Sequence, residues 1–151
     1  MSRLPVSLLT GLLVVAATVL PAASAAASAQ QDAIDQLNQI RQANGLAQLH
    51  ASESLFRSSG RYARHMIATN YFGHASRIAA SSAFGRVGET LELHSGWKAD
   101  AAQTIDEWMN SPEHRAVLLS ASYGYVGMGI ARGRIGSRLV TVWVAHVGAR
   151  H

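Results

Sequence analysis

Two histidines and one glutamate, set far apart in the chain, are the residues best suited to do chemistry. His74 follows a Tyr-Phe-Gly run, Glu89 follows a glycine, and His114 lies in a Ser-Pro-Glu-His-Arg run. Neutral imidazoles and a carboxylate are common ligands of a divalent cation such as Zn²⁺, and a glutamate can also act as a general base. If folding brings the three side chains together, they predict a metal-binding or acid–base site.

Each of these residues also has a purely structural interpretation. His74 can hydrogen-bond a loop carbonyl, Glu89 can accept backbone N–H groups, and His114 can lie in the capping turn of a helix. Four further histidines match no site pattern and are interpreted as surface residues or as buried residues with ordinary hydrogen-bond partners: His50, His65, His94 and His146.

Residues 1–29 are predicted to be a signal peptide rather than part of the folded domain. Arg3 is their only charged residue, and an apolar run over residues 8–20 precedes a proline and a small-residue tract that suits signal peptidase. The preferred cleavage point follows Ala29. An uncleaved membrane anchor is the alternative, but the apolar run is shorter than the roughly 20 residues that a spanning helix needs. We therefore expect a protein that is secreted or held at the cell envelope.

Residues 30–151 are enough for one compact domain and too few for two. The chain contains no cysteine, so packing alone must hold an exported domain together without disulfides. No later apolar run approaches membrane-spanning length, so no stable transmembrane segment is expected after signal removal. This combination favours a bacterial secreted domain.

The charge of the chain bears on its partners. Removing the signal takes away the single charge of Arg3 and lowers the formal net charge from +4 to +3. This modest excess suits an anionic cell-wall polymer, a lipid head group or a protein ligand. The arginines are scattered, and no basic patch with interleaved aromatic residues occurs, so no nucleic-acid partner is expected.

Two helices are predicted in the N-terminal half of the domain. Apolar residues at helical spacing indicate a first helix over residues 32–43, which ends at Asn44 and the glycine after it. A second helix is predicted to begin after Ser52, a good N-cap, and to reach about residue 69. Residues 73–88 are rich in glycine and serine and lack periodicity, so they are predicted to form a loop that carries function.

Two shorter helices are predicted next. The third covers residues 99–109, with Ala102 among its buried residues, and the fourth covers residues 112–119 with Ser111 as its cap. His114 would lie in the first turn of the fourth helix. The partial positive charge of the helix end disfavours protonation there, which keeps the imidazole able to bind a metal.

The chain closes with two strand patterns that favour an antiparallel hairpin, residues 125–131 and 138–147. In the first strand, Gly127 and Gly129 alternate with apolar residues, so one face lets a helix approach closely. The second strand is apolar on both faces, as expected between two layers. Because helices must cover both faces, the predicted fold class is α+β, a three-layer α-β-α sandwich with a mostly antiparallel sheet.

An ordered series of short motifs runs through nearly the whole mature chain. Its members include Gly45-Leu46, Phe72-Gly73-His74, Gly88-Glu89, the run from Trp108 to Arg115, and Val126-Gly127-Met128-Gly129. In this series the chain resembles the CAP superfamily of cysteine-rich secretory, antigen-five and pathogenesis-related proteins, in its bacterial SCP-like form. The resemblance implies an α-β-α sandwich whose cleft contains His74, Glu89 and His114.

Two positions depart from the pattern of that superfamily. Members with a fuller site carry a second glutamate where this chain has Ser111, and asparagine is usual where this chain has Thr90. The resemblance therefore implies a metal site with three protein ligands and water completing the coordination shell, rather than a four-group acid–base site.

Two functions remain open on this basis. The first is an exported CAP-type binding or scaffold module at the cell envelope or outside the cell, with a His/Glu cleft that takes a divalent ion. The second is a metal-assisted hydrolase of a peptide or cell-wall substrate, in which Glu89 orients or deprotonates a bound water. A structural domain with a vestigial cleft is a third interpretation. Because the sequence has no cysteine nucleophile and no recognisable serine elbow, the binding module is favoured.

Overall fold

The computed structural model describes residues 22–151, which contain four helices and one four-stranded sheet. The elements in chain order are α1 (Ala22–Ala43), β1 (His50–Ala51), α2 (Glu53–Ala68), β2 (Phe84–Ser95), α3 (Ala101–Asn110), α4 (Pro112–Leu118), β3 (Tyr125–Ile135) and β4 (Arg138–Arg150). Residues 1–21, which hold most of the predicted signal peptide, lie outside the described part. Within the described part, no helix combines the length and apolarity that crossing a bilayer requires.

The sheet is built around the C-terminal hairpin. Its strand order is β1-β3-β4-β2, with β1 parallel to β3 and the other two pairs antiparallel. Alternate residues of β4 face two cores: Trp143 and Ala145 pack with α1 and α3, whereas Val142 and Val144 pack against α2. The predicted α+β sandwich is confirmed, with α2 on one face of the sheet and α1, α3 and α4 on the other.

Two glycines of β3 allow α2 to lie directly on the sheet. A Cβ atom on Gly127 would come within 2.1 Å of the backbone nitrogen of Phe56, and one on Gly129 within 2.3 Å of the carbonyl carbon of Ser59. The prediction that this face admits a helix is therefore confirmed. The close approach fixes the height of α2 above β4 and so positions the side chains that α2 contributes to the site.

A buried arginine ties α1 to the end of α4. The guanidinium of Arg41 donates to the carbonyl oxygens of Leu118 at 2.6 Å and Ser120 at 3.1 Å, and also to those of Ala47 and Tyr123. Burial lowers the pKa of Arg41. The four carbonyl oxygens accept from its N–H groups, and the guanidinium in turn caps the last carbonyls of α4. Arg41 thus fixes the position of the helix that carries His114.

Two expectations from the sequence are wrong. Residues 84–88 belong to β2 rather than to a loop, so Glu89 lies within a strand. Two glycines lower the strand propensity of this segment. Hydrogen bonding to β4 stabilises the strand in spite of this low propensity. Ala102, which was predicted to be buried, is exposed. The buried face of α3 consists of Ala101, Thr104, Ile105 and Trp108.

The first helix begins earlier than the periodicity indicated. α1 starts at Ala22 rather than at residue 32, in an alanine-rich segment with high helix propensity. Ala29 is buried in the core, and the side-chain amide of Gln30 donates to the carbonyl oxygen of Met128 at 2.8 Å. The end of the predicted signal is thus continuous with the first helix, and cleavage after Ala29 stays a prediction.

Candidate functional site

Glu89 is the centre of a buried hydrogen-bond chain on the α2 face of the sheet. Its Oε1 accepts from the backbone N–H of Ala75 and from Nδ1 of His74, both at 2.9 Å, and its Oε2 lies 2.9 Å from Nε2 of His146. The side chain is only 5% exposed. Burial raises the pKa of Glu89, but the hydrogen bonds from His146, Ala75 and His74 together outweigh it. The pKa therefore lies below its ordinary value, and the carboxylate is ionised at neutral pH.

His146 extends this chain toward α2. It lies directly opposite Glu89 in the register of β4 and β2, and its Nδ1 is 2.7 Å from Oγ of Ser58. An ionised carboxylate only accepts hydrogen bonds, so Nε2 carries a proton, and in the neutral ring Nδ1 accepts from Ser58. When the ring gains a second proton, Nδ1 donates to Ser58, whose hydroxyl can then donate to the carbonyl of Leu55 at 3.1 Å. Each polar group of the chain therefore has a hydrogen-bond partner whether the ring carries one proton or two.

His74 forms the outer end of the chain. Its side chain is 62% exposed, whereas its partner Glu89 is buried. The segment that carries it is anchored to α2, because the hydroxyl of Tyr62 donates to the carbonyl of Gly73 at 2.6 Å. The structure thus brings His74, from the loop after α2, into contact with Glu89 of β2.

His114 lies in the first turn of α4, where Ser111 is the N-cap and accepts from the His114 N–H. α4 packs on the α1 face of the sheet, whereas the Glu89 carboxylate points to the α2 face with Leu91. Among the described residues, Nδ1 of His114 is buried without a hydrogen-bond partner. Metal ligation by His74, Glu89 and His114 together requires His114 to reach the other two, and it stays a prediction.

A pocket of about 130 Å³ lies between α2 and the segment that follows His74. Ser58 and His146, two members of the hydrogen-bond chain, contribute to its wall. The remaining lining residues are cationic, aromatic or small apolar side chains: Arg61, Tyr62, His65, Ala75, Arg77, Ile78 and Ala79. The end of the chain formed by Ser58 and His146 therefore borders the pocket.

A second group of ionisable residues lies on the other face of β2. Within residues 22–151, the His, Asp and Glu side chains whose ligand atoms converge to within 4.8 Å of one another are Glu92, His94 and Glu107. From the sequence, His94 was predicted to be an ordinary histidine, and neither Glu92 nor Glu107 was predicted to be a ligand. A group that could hold a metal ion therefore exists, but at a different place from the predicted one.

Residues 34–147 match the Cysteine-rich secretory protein family, CAP. The chain belongs to the CAP family. The similarity to curated relatives is distant: this CAP chain is 25% identical over 125 residues to the uncharacterized membrane protein YlbC of Bacillus subtilis. It is 28% identical over 119 residues to the uncharacterized protein YkwD of the same organism. These matches cover 77% and 74% of this chain but only 35% and 46% of the relatives, so the chain spans less than half of their length.

Solved structures share the CAP fold. An extracellular protein of Bacillus anthracis that contains an SCP domain matches with a TM-score of 0.69 at 18% identity, over 89% of this chain and 45% of that chain. An outer surface protein of Borrelia burgdorferi matches with a TM-score of 0.65 at 17% identity, over 82% of this chain and 94% of that one. At these identities the likeness concerns the fold.

Two residues of the site in this CAP domain were not found by sequence reasoning. His146 stands in the apolar run of the last strand, and Ser58 lies inside a helix beside another serine. A histidine at a position with apolar neighbours on both sides must have a buried polar partner, and that was the available signal. The sequence could not name the partner, because Glu89 reaches His146 only through strand pairing.

Proposed function

We propose that this CAP domain is an exported binding module that acts at the cell envelope or outside the cell. The observation that carries the proposal is the chain of Ser58, His146 and Glu89 at the wall of a pocket that also contains arginines. Two proteins of the same fold are described as extracellular and outer surface proteins, which supports an external location. The predicted signal peptide, residues 1–29, supplies the route.

The pocket favours one acidic end of a larger ligand. Its volume of about 130 Å³ is well below the roughly 300–1,000 Å³ of sites that enclose a whole small molecule. Arg77 offers a guanidinium that pairs with a carboxylate or phosphate, while Arg61 is partly engaged with the carbonyl of Ala79 at 3.0 Å. Ile78 supplies an apolar wall beside these cations. A wall-peptide carboxylate or an anionic lipid head group fits this combination.

Binding of acidic wall-peptide fragments and of anionic lipid vesicles to the purified protein tests this proposal. Arg77→Gln should weaken binding by about tenfold, the loss expected for one charge-assisted contact. Arg57→Gln is the matched control, because Arg57 lies on α2 outside the pocket and pairs with Glu53 in solvent. Equal affinities in the wild type and both variants would count against the pocket as the binding site.

A divalent ion in the cleft, such as Zn²⁺ held by His74, Glu89 and His114, is a separate part of the proposal. The contact between His74 and Glu89 supports this ligand set, since Nδ1 of His74 lies 2.9 Å from Oε1 of Glu89. Nδ1 of His114, buried and unpartnered among the described residues, is the third donor if α4 brings it closer. When bound, the ion would supply a positive charge that attracts the acidic ligand. Loss of zinc affinity in His114→Gln, measured by dialysis, is the expected result, and unchanged affinity contradicts this ligand set.

A second candidate function is hydrolysis of a peptide or cell-wall substrate. It is favoured by the ability of His146 to accept a proton through Nδ1 while Glu89 holds its other nitrogen. In this role His146 is the base and Glu89 orients it. Turnover of a wall fragment that disappears in Glu89→Gln, with binding retained, would establish the hydrolase. A substrate panel without product in the wild type leaves the binding module as the function.

A further inference from the structure

We propose that Glu92, His94 and Glu107 form a binding site for a divalent transition-metal cation of the Zn²⁺ type, on the face of the sheet opposite the pocket. The site would join the edge strand β2 to α3. It does not depend on the function proposed for the pocket, because it shares no residue with that site.

The geometry brings three ligand atoms to one point. Glu92 and His94 are two positions apart in β2, so their side chains point to the same face of the sheet. Glu107 approaches them from the middle of α3. Nε2 of His94 lies 3.4 Å from Oε2 of Glu107, and all three ligand atoms lie within 4.8 Å of one another. Ligands at about 2.0–2.2 Å from one tetrahedral zinc ion are about 3.3–3.6 Å apart, so small side-chain rotations suffice.

The charge balance of the cluster points to a cation. Two carboxylates share a single imidazole, and among residues 22–151 neither Glu92 nor Glu107 forms an ion pair with lysine or arginine. The nearby Lys98 instead pairs with Asp100 at 2.7 Å. Like charges at such short range repel each other, and a bound cation converts this repulsion into attraction.

Neighbouring side chains hold the cluster in place. The side-chain amide of Gln103 donates to Oε1 of Glu107 at 2.9 Å, which leaves Oε2 directed toward His94. Oγ1 of Thr104 donates to the carbonyl of Asp100 at 2.7 Å and lies 3.3 Å from Nε2 of His94. Such outer hydrogen bonds orient metal ligands and are a regular feature of metal sites.

Buried polar groups beside the cluster provide an independent observation. Trp143 lies directly opposite Glu92 in the register of β4 and β2 and is fully buried, and its indole N–H has no acceptor among the described residues. Thr90, two positions before Glu92 on the same face, is also buried, and its hydroxyl has no hydrogen-bond partner among residues 22–151. Native interiors rarely leave such groups unsatisfied, and the water shell of a bound cation supplies partners.

The ligand types select the cation. Imidazole with two carboxylates suits zinc and its neighbours, whereas calcium and magnesium prefer oxygen ligands alone. Three protein ligands leave one position for water.

Zinc retention by the purified protein, measured by equilibrium dialysis together with the melting temperature, tests the proposal. Loss of an outer-shell partner alone weakens metal binding by about 10- to 100-fold, so Glu92→Gln and Glu107→Gln should each weaken it by about 100-fold or more. Both variants should melt in EDTA at or above the wild-type temperature, because each removes a like charge, and zinc should raise that temperature less than it does in the wild type.

Two controls separate this site from the cleft. Glu113→Gln changes an exposed glutamate in the first turn of α4, and it should leave zinc binding unchanged. In His74→Asn, which removes a ligand proposed for the cleft, the zinc held by Glu92, His94 and Glu107 should be retained. Absence of retained zinc in the wild type, or retention that survives Glu92→Gln and Glu107→Gln but is lost in His74→Asn, overturns the proposal.

Discussion

His146 and Glu89 face each other directly across β4 and β2, with 2.9 Å between Nε2 and Oε2. Both side chains are nearly inaccessible to solvent, so neither can exchange its partner for water. The pair therefore contributes to stability. Removing one member leaves the other buried and unpaired.

Replacing His146 should cost far more stability than replacing His74. His146→Leu keeps much of the volume but removes a partner of the buried carboxylate, and the expected loss is about 3 kcal/mol. His74→Ala breaks a hydrogen bond of similar length at an exposed side chain, for which we expect about 0–1 kcal/mol. Urea denaturation of both variants at neutral pH provides the measurement. Equal losses of unfolding free energy in the two variants would show that His146 and Glu89 do not form a buried pair.

Stability should fall in acid through protonation of Glu89. Its pKa is lowered in the folded protein, so its contribution is complete above the unfolded-state value of 4.5 and is lost as the pH falls through the lower, folded value. Glu89→Gln lacks this titration. The stability difference between the wild type and this variant should therefore shrink from about pH 6 to about pH 3 in urea titrations. A difference that stays constant over this range contradicts the assignment.

The contact between α2 and β3 should not tolerate a methyl group. Gly127→Ala places a Cβ atom within 2.1 Å of the backbone of α2, and moving the helix should cost about 3 kcal/mol or more. Gly124→Ala is the matched control, because no atom lies within 4 Å of its Cβ position and it should change stability little. Thermal unfolding compares the two. A stable Gly127→Ala protein would mean that α2 does not pack this closely.

The hydroxyl of Thr90 should be dispensable for stability. Thr90 is buried and its Oγ1 has no partner among the described residues, so Thr90→Val should gain about 1 kcal/mol in the free energy of unfolding. In Thr141 the hydroxyl donates to the carbonyl of Gly96 at 2.8 Å, and Thr141→Val should instead lose about 1 kcal/mol. Chemical denaturation in EDTA tests the opposite signs. Destabilisation of both variants would indicate that Thr90 has a partner, such as bound water.

Much of the architecture could be predicted locally. Ser52 and Ser111 are the N-cap residues of α2 and α4, as predicted, although only the side chain of Ser111 accepts a hydrogen bond from its helix. The glycine alternation of β3 predicted the helix that packs on it. β2 was not predicted, because its glycines and polar residues give little period-two signal. Its hydrogen bonds depend on β4, which is distant in sequence, and propensity does not report such pairing.

The candidate site was likewise predicted only in part from the sequence. By itself the sequence determined the fold class, the cap positions and the helix–strand contact at Gly127, because these depend on residue type and short-range spacing. Its choice of His74, Glu89 and His114 as site residues stays a prediction. Only the tertiary structure decided that His146 and Ser58 complete the chain and that Glu92, His94 and Glu107 converge. The physical reason is that strand register and layer packing, which are set by the whole core, determine which distant side chains meet.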